Sequence, residues 1–204
     1  DTNRDSATST FTRPPLIPQL HTNYRAAGAP CLKTTAVAAH RHQPAAAGLA
    51  YRVAEFNQPC VAVAREAIRR FRDSQPAAGS CYVLASIGPA EQPPADPAAV
   101  AECYRHQLES VIAAGADALL FETFSDLAQC EWLIDLAQSL PRTLPIIAEM
   151  TIQAAHGSAG AGITPDPARF LGSMISRQVP VAGVNCCAPW DATAFIDAAH
   201  ELEP

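Results

Sequence analysis

The stretch "ESVIAAGADALLFET", Glu109 to Thr123, holds a complete structural unit. Apolar residues at helical spacing run to Ala114. Gly115 then stands where the helix must stop, in the left-handed cap that glycine adopts without strain. "ALLF" follows as a continuous apolar run and gives way to Glu122 and Thr123. A second stretch, "HTNYRAAGAPCLKTT" (His21 to Thr35), repeats the design: both carry "AAGA", and seven residues beyond Gly28 and Gly115 lie Thr35 and Glu122, each at a strand exit. Equivalent positions in two units predict an alternating α/β architecture.

The rest of the chain extends the pattern. A long helix is expected over about residues 48–73, with a break near Pro59. "SCYVLASIGP" reads as a strand ending at Ser86 and Gly88, and Asp96-Pro97 as cap and first turn of a helix to Ala114. Asp126 caps the next helix, with Gln129 completing a capping box. "LPIIAEMTI" is a strand, "QAAHGSAGAGI" a Gly/Ala loop, and Thr164-Pro165 open another helix. "VAGVNC" is the last strand and "DATAFIDAAHELE" the last helix. The strands are near-continuously apolar, as in parallel sheets covered on both faces. No GxGxxG or GxxxxGK[ST] follows any of them, which argues against a nucleotide-binding open sheet. The polar, chemistry-bearing residues gather at strand exits, which a barrel collects on one face. The expected fold is therefore a (β/α)8 TIM barrel, incomplete, with about five βα units in one partial domain over residues 1–204.

Composition narrows the partners. The 204 residues are 49% hydrophobic and 17% charged, with a formal net charge of −6 and no basic block, so nucleic acid and anionic membranes are not expected partners. No apolar run approaches the roughly 20 residues of a spanning helix. "DTNRDSATST" at the start lacks the pattern of a secretory signal. The chain opens on Asp1 rather than Met, so its natural start is expected upstream. Seven scattered cysteines, an odd number without a CxxC pair, predict reduced thiols in the cytoplasm.

The strand exits present Lys33, Thr34 and Thr35; Ser86 and Gly88; Glu122 and Thr123; Glu149 and Thr151; Asn185 and Cys186. A cysteine at a strand exit leaves the packed core for the loop face, where it serves as nucleophile or metal ligand; elsewhere a free cysteine is a small buried hydrophobe. Cys187 would point the opposite way on extended backbone and so reads as packing. Glu122 precedes a helix start, where a carboxylate is favoured in any case. Glu149 faces either the barrel interior or a neighbouring helix. Lys33 is the only lysine and invites a Schiff-base reading. His40, His42 and His156 read as solvated loop residues.

Taken in order, "HTNYRAAGAPCLKTT", "VLASIGP", "YRHQLESVIAAGADALLFETFSDLAQ", "PIIAEMTI" and "VAGVNC" resemble the homocysteine S-methyltransferase family, from about His21 to Glu203. The resemblance implies a (β/α)8 barrel binding one zinc through three cysteine thiolates. Cys186, at the "GVNC" strand exit, matches the first; the other two belong to a later "GGCC" motif. Glu122 matches the glutamate that holds the amino group of homocysteine, and Ser86, Gly88 and Asn185 match residues around the same mouth. Zinc deprotonates a bound thiol, and an electron-rich thiolate site leaves the substrate sulfur reactive toward an activated methyl group. The implied function is a zinc-dependent methyltransferase moving a methyl group from an activated donor, folate- or corrinoid-linked among others, to homocysteine to give methionine. The alternative is an inactive barrel fragment or a non-catalytic binding module. Neither the family's opening "DGGxGT" strand nor "GGCC" has a counterpart here, and its "TNTF" is replaced by Thr34 to Val37. Two open apolar edges, "CLKTT" and "VAGVNC", are expected to favour self-association.

Overall fold

A computed structural model describes residues 16–37, 49–90, 97–153 and 166–202. Asp96, the Thr164-Pro165 pair, His40, His42 and His156 lie outside the described residues. The elements are α1 (Leu16–Ala26), β1 (Cys31–Lys33), α2 (Leu49–Ser74), β2 (Tyr82–Ile87), α3 (Pro97–Ala113), β3 (Ala118–Phe124), α4 (Leu127–Gln138), β4 (Ile146–Met150), α5 (Pro167–Ser176), β5 (Val181–Val184) and α6 (Pro189–Leu202). The strands form one sheet in the order β1-β2-β3-β4-β5. Sequential order with a helix between each pair of strands is the topology of a parallel barrel wall. The chain divides into two compact units, residues 1–119 and 120–204.

In the first unit β1 and β2 pair in parallel, with Leu32 opposite Val83 and Lys33 opposite Leu84. Leu32, Val83, Ala85 and Ile87 are buried. Both "AAGA" glycines take the expected conformation, φ 95° at Gly28 and 91° at Gly115. The Gly115 turn is fastened from α2: Arg65 Nε donates to the Gly115 carbonyl at 2.9 Å, and its guanidinium pairs with Asp117 at 2.6 Å. The other carboxylate oxygen of Asp117 accepts from the Val83 amide at 2.7 Å, tying the turn to β2.

The long helix does not break at Pro59; α2 runs through it. Val53, Cys60, Val61, Ala64 and Ala67 are buried along one face. Packing of that face outweighs the hydrogen bond that proline removes.

His21 on α1 is 4% exposed, and its Nε2 has no hydrogen-bond partner among the described residues. Burial disfavours the imidazolium and lowers the His21 pKa. A base whose folded pKa lies below its unfolded value binds fewer protons when folded. Stability is then complete above the unfolded value, about 6.5, and falls as the pH drops below it. We expect denaturant-measured stability to fall between pH 7 and 5 by up to about 1.4 kcal/mol per unit from this group. The His21→Phe variant should lack that component; an unchanged slope would remove the assignment.

In the second unit β4 and β5 pair in parallel, with Glu149 opposite Gly183 and Met150 opposite Val184. Phe121, Phe124, Leu133, Ile134, Met150, Phe170 and Met174 are buried. Asp126 caps α4 as expected, accepting from the Ala128 amide at 2.9 Å. Asp166 caps α5, accepting from the Arg169 amide at 2.9 Å, with Pro167 in the first turn. β5, last in the sheet order, is the least buried strand, and Val181 is half exposed.

Candidate functional site

Three strand exits of the second unit lie level with one another. The Thr151 amide donates to the Phe124 carbonyl at 2.8 Å, and the Asn185 amide to the Met150 carbonyl at 3.1 Å. Each ladder thus continues one residue past its strand before the chain turns. β3 delivers Glu122 and Thr123 to this level, β4 Thr151, and β5 Asn185 and Cys186.

Two of these residues have left-handed backbone without being glycine: Thr123 at φ 68° and Cys186 at φ 52°. For β-branched Thr123 this is a true outlier, costing about 1–3 kcal/mol, and such strain concentrates at functional sites. Left-handed backbone at Cys186 also ends the alternation of an extended strand. The expectation that Cys187 points opposite to Cys186 therefore loses its premise; Cys187 is half-buried and Cys186 exposed.

Asn185 ties the exits together. Its Oδ1 accepts from the Thr123 amide at 3.0 Å. Its Nδ2 donates to Thr123 Oγ1 at 3.1 Å and to Glu122 Oε2 at 3.3 Å. A backbone N–H must face an acceptor, so the Thr123 amide fixes which end of the Asn185 side chain is oxygen. Glu122 is 5% exposed, and its buried carboxyl accepts from the neutral Asn185 side chain. The Thr123 hydroxyl lies 3.9 Å from the Cys186 sulfur. The Glu122 carboxyl and the Cys186 sulfur are therefore linked through Asn185 and Thr123.

Glu149 belongs to the same face. A Cβ placed on Gly183 would meet Glu149 Cγ at 3.5 Å, so Glu149 projects on the side that Gly183 shares, two residues along, with Asn185. Thr151 Oγ1 is buried and has no partner among the described residues. Cys130 on α4 shows the other fate of a thiol: desolvation, reinforced by the charge of Glu131, pushes its pKa up to about 12, and it stays protonated.

Ser86 and Gly88 lie in the first unit. Ser86 is buried, and its amide donates to Thr34 Oγ1 at 3.0 Å. Gly88 donates its amide to the Val37 carbonyl at 2.9 Å and accepts from the Tyr104 hydroxyl at 2.9 Å. The divergent Thr34–Val37 segment is thus bonded to the end of β2 inside its own unit. Lys33 is exposed and lacks the desolvation that a Schiff-base lysine uses.

As a metal centre the site is partial. Cys186 is a soft donor at a strand exit, suited to zinc. Among the described residues no group of three or more His, Cys, Asp or Glu could hold a metal ion. Among the described residues a three-cysteine donor set of the kind the resemblance implies does not close around Cys186.

The sequence pattern of a family described as "Homocysteine S-methyltransferase" matches residues 2–204. Homocysteine S-methyltransferase of Escherichia coli (strain K12) is 29% identical over 206 residues, covering 93% of this chain and 64% of that protein. Homocysteine S-methyltransferase YbgG of Bacillus subtilis (strain 168) is 29% identical, covering 89% of this chain and 61% of its own length. Methionine synthase of Mycobacterium tuberculosis is 26% identical over 15% of its length. The chain thus spans somewhat under two thirds of the two homocysteine S-methyltransferases. Among solved structures, the apo form of homocysteine methyltransferase MmuM from Escherichia coli superposes with a TM-score of 0.75 at 28% identity, covering 97% of this chain and 72% of that one. Its metallated form gives the same TM-score at 23% identity, a likeness of fold.

Proposed function

The chain belongs to the homocysteine S-methyltransferase family, and from that premise we propose that it contributes to methyl transfer from an activated donor to the thiol of homocysteine, giving methionine. The observation that carries the reading is the Asn185 link, which presents the buried Glu122 carboxylate and the exposed Cys186 sulfur at adjoining strand exits. An amino acid with an ammonium at one end and a thiol at the other suits that pair. Glu122 takes the ammonium, and the substrate sulfur lies toward Cys186. Asn185 belongs to the proposed substrate-binding set as well, holding the Glu122 side chain through Nδ2 beside the ligand. Ser86, at the end of β2 in the first unit, is a further substrate-binding candidate on the resemblance alone.

Zinc is part of the proposal, with Cys186 as one ligand. When bound it would supply a deprotonated substrate thiol. The described residues do not complete its coordination, so the part of the chemistry that falls to them is binding and orientation of the amino acid. A methyl donor is required, folate- or corrinoid-linked or a small sulfonium or quaternary amine. No described helix is long and apolar enough to cross a membrane. All seven cysteines are free, which supports a cytoplasmic setting. The half-exposed β5 edge supports self-association, which sedimentation would reveal as a concentration-dependent mass.

The incomplete metal set favours a second reading, a binding module that holds the amino acid without transferring methyl. Calorimetric titration with homocysteine tests the part common to both. Glu122→Gln keeps the size and loses the charge, and should weaken binding about thirty-fold, the equivalent of about 2 kcal/mol. Equal affinity in wild type and variant would withdraw Glu122 from the site. Binding without turnover in protein expressed from the full reading frame would select the module.

A further inference from the structure

The orientation of the Asn185 amide has a consequence for the sulfur. Because Oδ1 faces the Thr123 amide, Nδ2 must be the group that approaches Thr123 Oγ1, and it donates there. The hydroxyl of Thr123 is thereby an acceptor toward Asn185, and its own proton is directed elsewhere. Cys186 Sγ, at 3.9 Å, is in reach. Thr123 and Cys186 both hold left-handed backbone, so this approach is made between two residues on strained backbone. A strained arrangement persists only if its surroundings over-determine it, and the Asn185 bonds to Thr123 and Glu122 do so here.

We propose that Thr123 is a positioning residue for Cys186: its hydroxyl, oriented by Asn185, donates to the sulfur and holds that side chain in one rotamer. Three links act in series, from the Asn185 amide to the Thr123 oxygen to the Cys186 sulfur. The importance of this for turnover rests on the methyl-transfer reading, whereas the positioning is a property of the chain alone.

The test separates the two. Protein labelled with 13C,15N-cysteine, reduced and free of metal, gives the Hα–Hβ couplings of Cys186, assigned by their loss in Cys186→Ser. Exposed Cys31 serves as the averaged reference. Wild type and Thr123→Ser should show the unequal or uniformly small couplings of a single rotamer. Thr123→Val, which keeps the branched shape and loses the hydroxyl, should show averaged couplings like those of Cys31. Wild-type couplings in the valine variant would overturn the proposal. Should that variant not fold, Thr123→Gly removes the hydroxyl while relaxing the backbone. Averaged couplings there, with Thr123→Ser unaveraged, support the proposal, and unaveraged couplings overturn it. In methyl-transfer assays of protein from the full reading frame, Thr123→Val should lower kcat about ten-fold with the homocysteine KM little changed, and Thr123→Ser should recover most of the loss. Absence of transfer in wild type would count against the functional reading and leave the couplings to decide the positioning.

Discussion

If the proposed function holds, replacing Cys186 by Ala should abolish methyl transfer to homocysteine, by more than about a hundred-fold, while leaving the fold intact. Altering groups that merely support a metal ligand costs about 10–100-fold in affinity or activity, so loss of a ligand sets a larger effect. The fold should tolerate the change because Cys186 is exposed and its backbone is held by its neighbours: the Asn185 amide on the Met150 carbonyl and the Asn185 side chain on Thr123. Thermal unfolding should shift little, within the range of surface substitutions. Zinc content, measured by atomic emission on protein expressed from the full reading frame, should fall with the activity. Cys130→Ala is the matched control: that thiol is buried on α4, and its loss should cost stability by leaving a small cavity and should not act on the chemistry. Full activity and full zinc in Cys186→Ala would remove the ligand assignment.

Local signals made much of this architecture legible in the sequence. Gly28 and Gly115 announced their helix ends because a left-handed cap is a requirement on one residue, and Asp126 announced a helix start for the same reason. Cys186 was legible as a strand-exit residue because the apolar run before it ends sharply, whereas Glu122 lies within β3, which continues to Phe124. The misses arise where a local preference was outweighed. Pro59 disfavours a helix locally, yet α2 continues because its buried face is long. The left-handed backbone at Thr123 and Cys186 had no sequence signal, since neither residue type favours it. Nor did the sequence reveal that Asn185 is engaged by its neighbours, because its partners lie on a strand about sixty residues earlier.

That engagement makes Asn185→Asp the most informative change to the site. The substitution is nearly isosteric, so its effect is electrical. An oxygen replaces Nδ2, where it would face Glu122 Oε2 at a separation near the present 3.3 Å. The Glu122 carboxylate loses a donor and gains a like charge in a partly buried setting, a combination worth about 2–4 kcal/mol of destabilisation near neutral pH. The new oxygen also accepts from the Thr123 hydroxyl and draws its proton away from Cys186, undoing the chain of bonds at its second link. Asn185→Ala loses the same donors without the added charge, and so separates the two contributions. Below neutral pH the variants should diverge. A proton shared between Glu122 and the introduced carboxylate would relieve the repulsion in the folded protein only, so the folded state would bind more protons than the unfolded one. Stability relative to wild type should then recover as the pH falls toward the carboxylate range, whereas the deficit of the alanine variant should stay nearly constant. Urea unfolding of the three proteins between pH 7.5 and 4.5 measures this directly. Parallel pH profiles for the aspartate and alanine variants would mean that Glu122 does not meet the side chain that follows Val184, and the carboxylate would lose its link to the Cys186 sulfur.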